Sequence, residues 1–275
     1  KSYAKINLAL NIVGKTSSLH KIESIVAFVS LYDQIFIKRI KSDHHNISFI
    51  GKFSQNIGRN NTISKLLEIL ENKKLLKNTK FAIKIKKNIP NKAGLGGGSM
   101  NAATILKYFI KKKIIKISKR DTREISKLVG SDVILGLNFK NSVLNSKNEI
   151  IHFSNYKKIY TLIVKPDFGC STKQIYSKIK KFNKPEFNKP SKKMFDLEFL
   201  KKMNNSLEKI ALNNYPRLRT IKSFLENLSG TAFVRMTGSG SAFVTYFNSK
   251  KRCDNAKREF NRRYRNYWCI SSKTI

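Results

Sequence analysis

Apolar and polar positions in the first seventy residues follow two different spacings. Residues 4–13, 22–31 and 34–40 are apolar runs of strand length, which is typical of β-strands. The polar positions between them predict turns. Residues 62–70 repeat apolar positions at helical spacing, and the asparagines at 60–61 are candidates for the N-cap. We therefore expect a strand-rich start followed by a helix.

The segment 81–109 combines a strand, a glycine loop and a helix. Residues 81–89 alternate like a strand, residues 94–99 read GLGGGS, and residues 102–109 place apolar side chains at helical spacing. Glycines lack the Cβ atoms that would keep a backbone away from an anion, and the N–H groups at a helix start are positive donors. This order predicts a loop that binds the phosphates of a nucleotide.

The rest of the chain mixes helices and strands. The pattern predicts helices at 121–129, 207–212, 218–228 and 254–264, and strands at 159–165, 231–236 and 242–247. Residues 130–133 (GSDV) end a helix and start a new element, and the Lys-rich stretch 178–193, with two prolines, is expected to be an exposed connection. The sum is an α+β protein with a change of domain near residues 150–160.

Composition changes this picture in one respect, the charge. The chain has 275 residues with 56 Lys and Arg against 17 Asp and Glu, a formal charge of +39. The lysines recur along the whole chain, so we interpret them as solvated surface and expect no specific nucleic acid; a basic nucleic-acid-binding protein stays the alternative. A positive field would also attract an anionic nucleotide substrate.

Hydropathy and cysteine spacing indicate in which cellular compartment the protein is expected. No window approaches the roughly 18 apolar residues of a membrane helix, and no signal-peptide pattern is present, so a soluble, cytoplasmic protein without a membrane partner is expected. Cys170, Cys253 and Cys269 are widely spaced, which supports neither a disulfide framework nor a zinc site. Because the sequence begins at Lys1, a short N-terminal piece is expected to precede this numbering.

Better-known glycine motifs are excluded by their letters. No lysine follows the glycines at 94–98, as a Walker A loop requires, and Ser99 stands where a dinucleotide fingerprint needs its third glycine. Residues 167–169 (DFG) imitate the metal motif of protein kinases, but no HRD sequence precedes them.

Three segments together resemble one family. Residues 90–103 (PNKAGLGGGSMNAA) resemble the central motif of the GHMP kinases, small-molecule kinases named for galactose, homoserine, mevalonate and phosphomevalonate. Residues 3–10 (YAKINLAL) resemble the first motif of that family, and residues 235–242 (RMTGSGSA) resemble its third. The three stand in the family order and span nearly the whole chain.

The resemblance implies a fold and a reaction. The fold is α+β with two domains: a ribosomal-S5-like domain at 1–155, which binds ATP and carries out catalysis, and a ferredoxin-like α/β sandwich at 156–275. The triple glycine, the GSDV segment and residues 170–176 (CSTKQIY) are most similar to members that act on a cytidine-diphosphate-linked methylerythritol. Transfer of the ATP γ-phosphoryl group to the 2-hydroxyl of that small molecule is therefore implied, by a monomer or homodimer in isoprenoid biosynthesis. Another acceptor, of the homoserine or mevalonate type, and an inactive family member stay as alternatives.

The resemblance also assigns catalytic roles. Asp132 is expected to be the general base that accepts the alcohol proton; from the residues alone, a helix cap would be the simpler interpretation. Lys5 is expected to keep the Asp132 carboxylate ionised and to stabilise charge on the attacking oxygen. Asn7 lies on the same strand face two residues on and is expected to orient the substrate hydroxyl.

ATP and Mg²⁺ are the implied cofactors. The predicted ATP-binding residues are Pro90, Asn91, Lys92, Ala93, Gly94, Leu95, Gly96, Gly97, Gly98, Ser99 and Met100. The Ser99 hydroxyl is the candidate metal ligand. The remaining substrate candidates are His20, Thr172, Tyr176, Gly238, Ser239 and Gly240, with the two aromatic side chains assigned to the cytosine base.

Three positions depart from the family pattern. Leu19 stands where an aromatic partner of His20 is common, so one stacking surface is absent. Met100 and Asn101 stand where Ser-Asp is common, which removes a carboxylate near the phosphates. Ile134 replaces a frequent proline after the Asp-Val pair, with an effect on backbone rigidity alone.

Overall fold

Residues 1–16, 19–154 and 157–275 are described by the computed structural model of the chain, and their contacts divide it into two units. Unit 1 comprises Lys1–Ala4, Leu31–Asn91 and Gly96–Phe139, and unit 2 comprises Lys5–Ser30, Lys92–Leu95 and Lys140–Ile275. The domain boundary expected between residues 155 and 156 lies outside the described residues. The division into domains 1–155 and 156–275 stays a prediction.

Two long strands contribute residues to both units, namely β1 (Ser2–Lys15) and β2 (His20–Ile40). The other elements of unit 1 are β3 (Asn46–Ile50), α1 (Thr62–Asn72), β4 (Lys80–Lys86), α2 (Gly97–Lys111), α3 (Lys119–Val129) and α4 (Val133–Gly136). The second half of β2 pairs antiparallel with β4, which pairs parallel with β3. Alternate residues of these strands, such as Ile83 and Ile85, pack against α1 and α2 to form the core of this unit.

The elements of unit 2 after residue 140 are β5 (Asn141–Leu144), β6 (Ile150–Phe153), β7 (Tyr160–Lys165), α5 (Thr172–Ser177), a 3-10 turn (Lys192–Phe195), α6 (Leu197–Lys202), α7 (Glu208–Asn214), α8 (Arg217–Glu226), β8 (Thr231–Met236), β9 (Phe243–Phe247), α9 (Lys250–Arg263) and β10 (Trp268–Lys273). β5 pairs with the first half of β2 and with β6. A second, antiparallel sheet has the order β10-β7-β9-β8. Its apolar face packs against α8 and α9. The α+β fold class is thus confirmed.

The predicted break between residues 31 and 34 is wrong, because β2 continues through it. Asp33 was the polar position that suggested a turn, but its side chain is fully buried. Its carboxylate accepts hydrogen bonds from the backbone N–H groups of Asn88 and Ile89, both at 2.8 Å. A buried carboxylate is compatible with a strand interior when the fold supplies such donors, and sequence spacing does not reveal them.

The Lys-rich connection at 178–193 is largely exposed, as expected. One residue differs, since Phe187 is fully buried. Glu23, also fully buried, accepts the N–H groups of Glu186 and Phe187 at 2.7 and 3.1 Å. Across the described chain, no helix combines the length and apolar character needed to cross a membrane.

Candidate functional site

The middle of the glycine loop, Lys92–Leu95, belongs to unit 2. There the Leu95 carbonyl accepts the Lys5 N–H at 3.1 Å, and the Gly94 carbonyl accepts the Thr237 hydroxyl at 3.1 Å. Gly94 has φ +72°, and a Cβ on it would lie 2.0 Å from the Thr237 carbonyl oxygen. Only glycine fits this close approach of two backbones.

Asn7 joins the first and third motifs within unit 2. Its Oδ1 accepts the Lys5 ammonium at 2.7 Å and the Gly238 N–H at 3.0 Å. Its backbone N–H donates to the Thr237 hydroxyl at 3.1 Å, and its Nδ2 donates to the Ser24 hydroxyl at 2.8 Å. Both Asn7 and Lys5 are buried, so this amide fixes the direction of the lysine side chain.

Two further residues support the turn at 238–240. Asn205 donates through Nδ2 to the carbonyls of Met236 and Gly238 at 2.7 and 2.8 Å. The hydroxyls of Ser239 and Thr172 lie 2.8 Å apart. The structure therefore brings together two predicted substrate-binding positions that are 67 residues apart in sequence.

The two aromatic candidates also lie together in unit 2. The ring centroids of His20, at the start of β2, and Tyr176, on α5, are 5.2 Å apart with a tilt of 51°. Burial lowers the pKa of the His20 imidazole from its ordinary value of 6.5, and the Lys15 charge lowers it further. Leu19 beside them is 70% exposed. The arrangement offers a neutral imidazole and a phenol to a planar ligand.

In unit 1, the start of α2 presents backbone donors. Its N-cap is Gly96, with φ +67°, and in the described chain no side chain caps this end and no acidic residue lies in its first turn. The neighbouring helices α1 and α3 differ, since Asn61 and Ser118 cap them. A Cβ on Gly98 would lie 2.9 Å from the Thr62 hydroxyl. The N-terminus of α2 is thus suited to an external anion.

Asp132 lies at the start of α4, which packs along the first turns of α2. A Cβ on Gly136 would lie 2.7 Å from the Ala103 Cβ, so the two helices approach closely. A Cβ on Gly130 would lie 3.8 Å from the Ser99 hydroxyl. Asp132 is the N-cap residue of α4, and among the described contacts its side chain makes no capping hydrogen bond to that helix.

Met100 and Asn101 face the interior of unit 1. Met100 is fully buried, and its sulfur lies 2.9 Å from the position of a Cβ on Gly136. Asn101 is 1% exposed and donates to the Asp33 carboxylate at 2.9 Å. Packing is the role the structure gives the Met100 side chain, so its predicted contact with ATP would involve the backbone and stays a prediction.

Sequence reasoning missed several residues that shape this site. Thr237 lay inside the third motif, so its hydroxyl could have been proposed from that position. Asn205, Ser24 and Asp33 lie in no motif, and the contacts that matter here join them to Met236, Asn7 and Asn88, which are 31, 17 and 55 residues away along the chain. Within the described residues, no group of three or more His, Cys, Asp or Glu side chains is placed to hold a metal ion.

Comparison with known proteins identifies relatives of the chain. Residues 61–138 match the GHMP kinases N terminal domain, and residues 187–266 match the GHMP kinases C terminal domain. A 4-diphosphocytidyl-2-C-methyl-D-erythritol kinase of Pelagibacter ubique (strain HTCC1062) is 56% identical over 275 residues, which are 100% of this chain and 98% of that protein.

Two solved structures share the fold. A 4-(cytidine 5'-diphospho)-2C-methyl-D-erythritol kinase has a TM-score of 0.79 at 22% identity, covering 100% of this chain and 98% of the other. A homoserine kinase from Cytophaga hutchinsonii has a TM-score of 0.71 at 14% identity, covering 100% and 95%.

These relationships confirm the resemblance that the three motifs indicated. The protein is a small-molecule kinase, and a kinase of this type uses ATP. The chain belongs to the GHMP kinase family and, within it, to the 4-diphosphocytidyl-2-C-methyl-D-erythritol kinases.

Proposed function

We propose that the chain transfers the γ-phosphoryl group of ATP to the 2-hydroxyl of 4-diphosphocytidyl-2-C-methyl-D-erythritol, giving ADP and the 2-phosphate for isoprenoid precursor synthesis. The observation that carries the proposal lies in unit 1, where no side chain caps the start of α2 and Ser99 lies in its first turn. A Cβ on Gly130, two residues before Asp132, would lie 3.8 Å from the Ser99 hydroxyl. Backbone N–H groups that could bind phosphate and a carboxylate are thus present at the starts of two adjacent helices, α2 and α4. Phosphoryl transfer needs mainly positioning and charge stabilisation, which such a site supplies.

ATP phosphates fit the backbone of the glycine loop. Gly94 and Gly96 have positive φ, and Gly97 and Gly98 begin α2 where side chains would meet neighbours. The N–H groups of the first turn point out of the helix start, and its dipole favours negative charge. Gly96, Gly97, Gly98 and Ser99 would therefore hold the phosphates through their backbone amides.

Mg²⁺ fits a site with few protein ligands. This ion usually keeps several waters and takes one or two protein oxygens together with substrate phosphates. Ser99 offers its hydroxyl at the start of α2, whereas the Asn101 side chain is turned toward Asp33. When bound, Mg²⁺ would neutralise charge that develops on the phosphate oxygens.

Proton transfer is assigned to Asp132. The substrate hydroxyl oxygen attacks the γ-phosphorus, its proton passes to the Asp132 carboxylate, and the bond to the bridging oxygen of ADP breaks. Lys5 would stabilise negative charge on the attacking oxygen, with its ammonium held by the Asn7 amide at 2.7 Å. The hydrogen bond between Asn7 and Lys5 supports a second role for Asn7, which is to position Lys5. This role would come in addition to the proposed contact of Asn7 with the substrate hydroxyl.

The cytosine base is assigned to His20 and Tyr176. Their rings lie side by side at 5.2 Å between centroids, and stacking with hydrogen bonds is how proteins bind an unpaired base. Exposed Leu19 would offer an apolar contact where an aromatic ring is common. Thr172 and the 238–240 turn would contact the remainder of the substrate. The enzyme would act in the cytoplasm, as a monomer or a homodimer.

A test of this proposal is ADP release with a panel of acceptor alcohols. We expect turnover with the cytidylylated methylerythritol and none with homoserine or mevalonate. Asp132→Asn should lower kcat about 100- to 10,000-fold, the usual contribution of a positioned general base. The matched control is Asp43→Asn, which makes the same exchange at an exposed carboxylate of unit 1 and should leave kcat unchanged.

Two results would contradict parts of the proposal. Turnover of homoserine or mevalonate in place of the cytidylylated alcohol would show that the acceptor is wrong. Equal kcat for Asp132→Asn and Asp43→Asn would remove Asp132 from the role of base.

A further inference from the structure

Unit 1 contains a buried carboxylate that the proposed reaction does not use. Asp33, on β2, is fully buried. One of its oxygens accepts the N–H groups of Asn88 and Ile89, both at 2.8 Å, and the other accepts the Asn101 side-chain amide at 2.9 Å. Asn88 and Ile89 follow β4, and Asn101 lies in α2. A single carboxylate therefore contacts the segment before the glycine loop and the helix after it.

The charge of this carboxylate is balanced by Lys87. The Lys87 ammonium forms an ion pair with the Asp33 carboxylate, and both side chains are at most 4% exposed. An unbalanced carboxylate under a phosphate-binding helix start would repel the nucleotide. Because Lys87 supplies the opposite charge, Asp33 can anchor the loop without that repulsion.

The start of α2 rests directly on this cluster. A Cβ on Gly97, the first residue of α2, would lie 3.0 Å from Ile89 Cγ2 and 3.3 Å from the Lys87 ammonium nitrogen. A displacement of the Asp33 cluster would therefore move the first backbone donors of the helix. Groups that bind a ligand need to be held within about 0.5 Å of their productive positions.

We propose that Asp33 is a positioning residue for ATP. By holding the end of the β4 segment and helix α2 together, it fixes the orientation of the N–H groups that receive the phosphates. The inference rests on the proposed phosphate-binding role of the glycine loop. It adds a residue from outside the three motifs to the machinery that binds the nucleotide.

Unit 2 contains a matched control, Glu23. This carboxylate is also fully buried. It accepts two backbone N–H groups, of Glu186 and Phe187, and one amide, the Asn11 Nδ2 at 3.1 Å. Asp33→Asn and Glu23→Gln each place an amide NH₂ among donors. Asp33→Asn also removes the partner of the Lys87 ammonium, so Asn101→Ala, which keeps that ion pair, completes the comparison. Both carboxylate variants should lower the free energy of unfolding, but only Asp33 contacts the segments next to the loop.

The experiment measures the Kd of the intact chain for a non-hydrolysable ATP analogue with Mg²⁺ by calorimetry, together with the KM for ATP and for the acceptor. For Asp33→Asn we expect both the Kd of the analogue and the KM for ATP to rise about tenfold or more, with little change in the KM for the acceptor. Glu23→Gln should change the Kd less than about twofold. Asn101→Ala, which keeps the ion pair and removes the helix-side contact alone, should raise the Kd by an intermediate factor.

An unchanged Kd in Asp33→Asn, or an equal rise in Glu23→Gln, would overturn the inference. If Asp33→Asn does not fold, Asn101→Ala decides, and an unchanged Kd in that variant overturns it as well. Wild-type chain that binds the analogue without phosphorylating the acceptor would refute the proposed substrate, while the Kd values would still decide the role of Asp33. Wild-type chain that does not bind the analogue would overturn the inference.

Discussion

Single polar side chains inside strands organise each unit. Asn7 in β1 connects Lys5 with Thr237 and Gly238, and Asp33 in β2 connects Asn88 and Ile89 with Asn101. Each is almost fully buried. Because a buried polar group without partners is costly, such residues restrict the backbone geometry around them more strongly than apolar neighbours do.

Close backbone approach makes Gly94 the most restricted glycine of the loop. We expect Gly94→Ala to lower the free energy of unfolding by about 2 kcal/mol or more, because φ is positive and the added Cβ would overlap the Thr237 carbonyl. Gly58→Ala is the control, since a Cβ there would have no described heavy atom within 4 Å; it should change stability by about 0.5 kcal/mol or less. Urea denaturation measures both, and equal stability of the two variants would contradict the described contact.

At the scale of elements, local signals predicted the regular segments well. Asn61 caps α1 as expected, and β8 has the bounds predicted for it. Short elements such as β3 and β10 were not predicted, since β3 is only five residues long and the six residues of β10 do not alternate. Pairing with a neighbouring strand stabilises such segments, and pairing is a property of the fold.

Helix α4, which has the proposed base Asp132 at its start, packs against α2. Gly136→Ala should lower the free energy of unfolding by about 1–3 kcal/mol, because the new Cβ would meet Ala103 and Met100 within 3 Å. The same displacement should move Asp132 and lower kcat about tenfold or more. Gly130→Ala is the comparison for stability, since its Cβ would have contacts at 3.6 Å and longer and its φ is 172°. Equal unfolding free energies and an unaltered kcat in Gly136→Ala would show that the helices tolerate greater separation.

The chain has a formal charge of +39, and protonation of its histidines at lower pH would add to that charge. Burial is the main cause that lowers the pKa of His20, His45 and His152 from the ordinary value of 6.5. Nearby lysines contribute at all three, while Glu71 acts in the opposite direction on His45. The folded chain therefore binds these protons less readily than the unfolded chain does.

We expect the free energy of unfolding to be constant with respect to these histidines above about pH 6.5 and to fall as the pH drops through their lowered pKa values. Urea denaturation at pH 7.5 and 5.5 measures the effect, and His152→Gln should show a smaller drop than the wild type. Repeating both at high salt separates burial from charge repulsion, since salt screens repulsion between exposed charges alone. A stability that rises toward pH 5.5 would contradict the direction of these pKa shifts.

The sequence by itself determined the family, the order of the main elements and the glycine loop, because these depend on local spacing and on motifs a few residues long. Tertiary structure decided which polar residues support the site. Asp33 suggested a turn and is instead a buried anchor within a strand, and Asn205 carried no local signal yet holds the turn at 238–240. The physical reason is that hydrogen-bond partners distant in sequence become neighbours only when the chain folds.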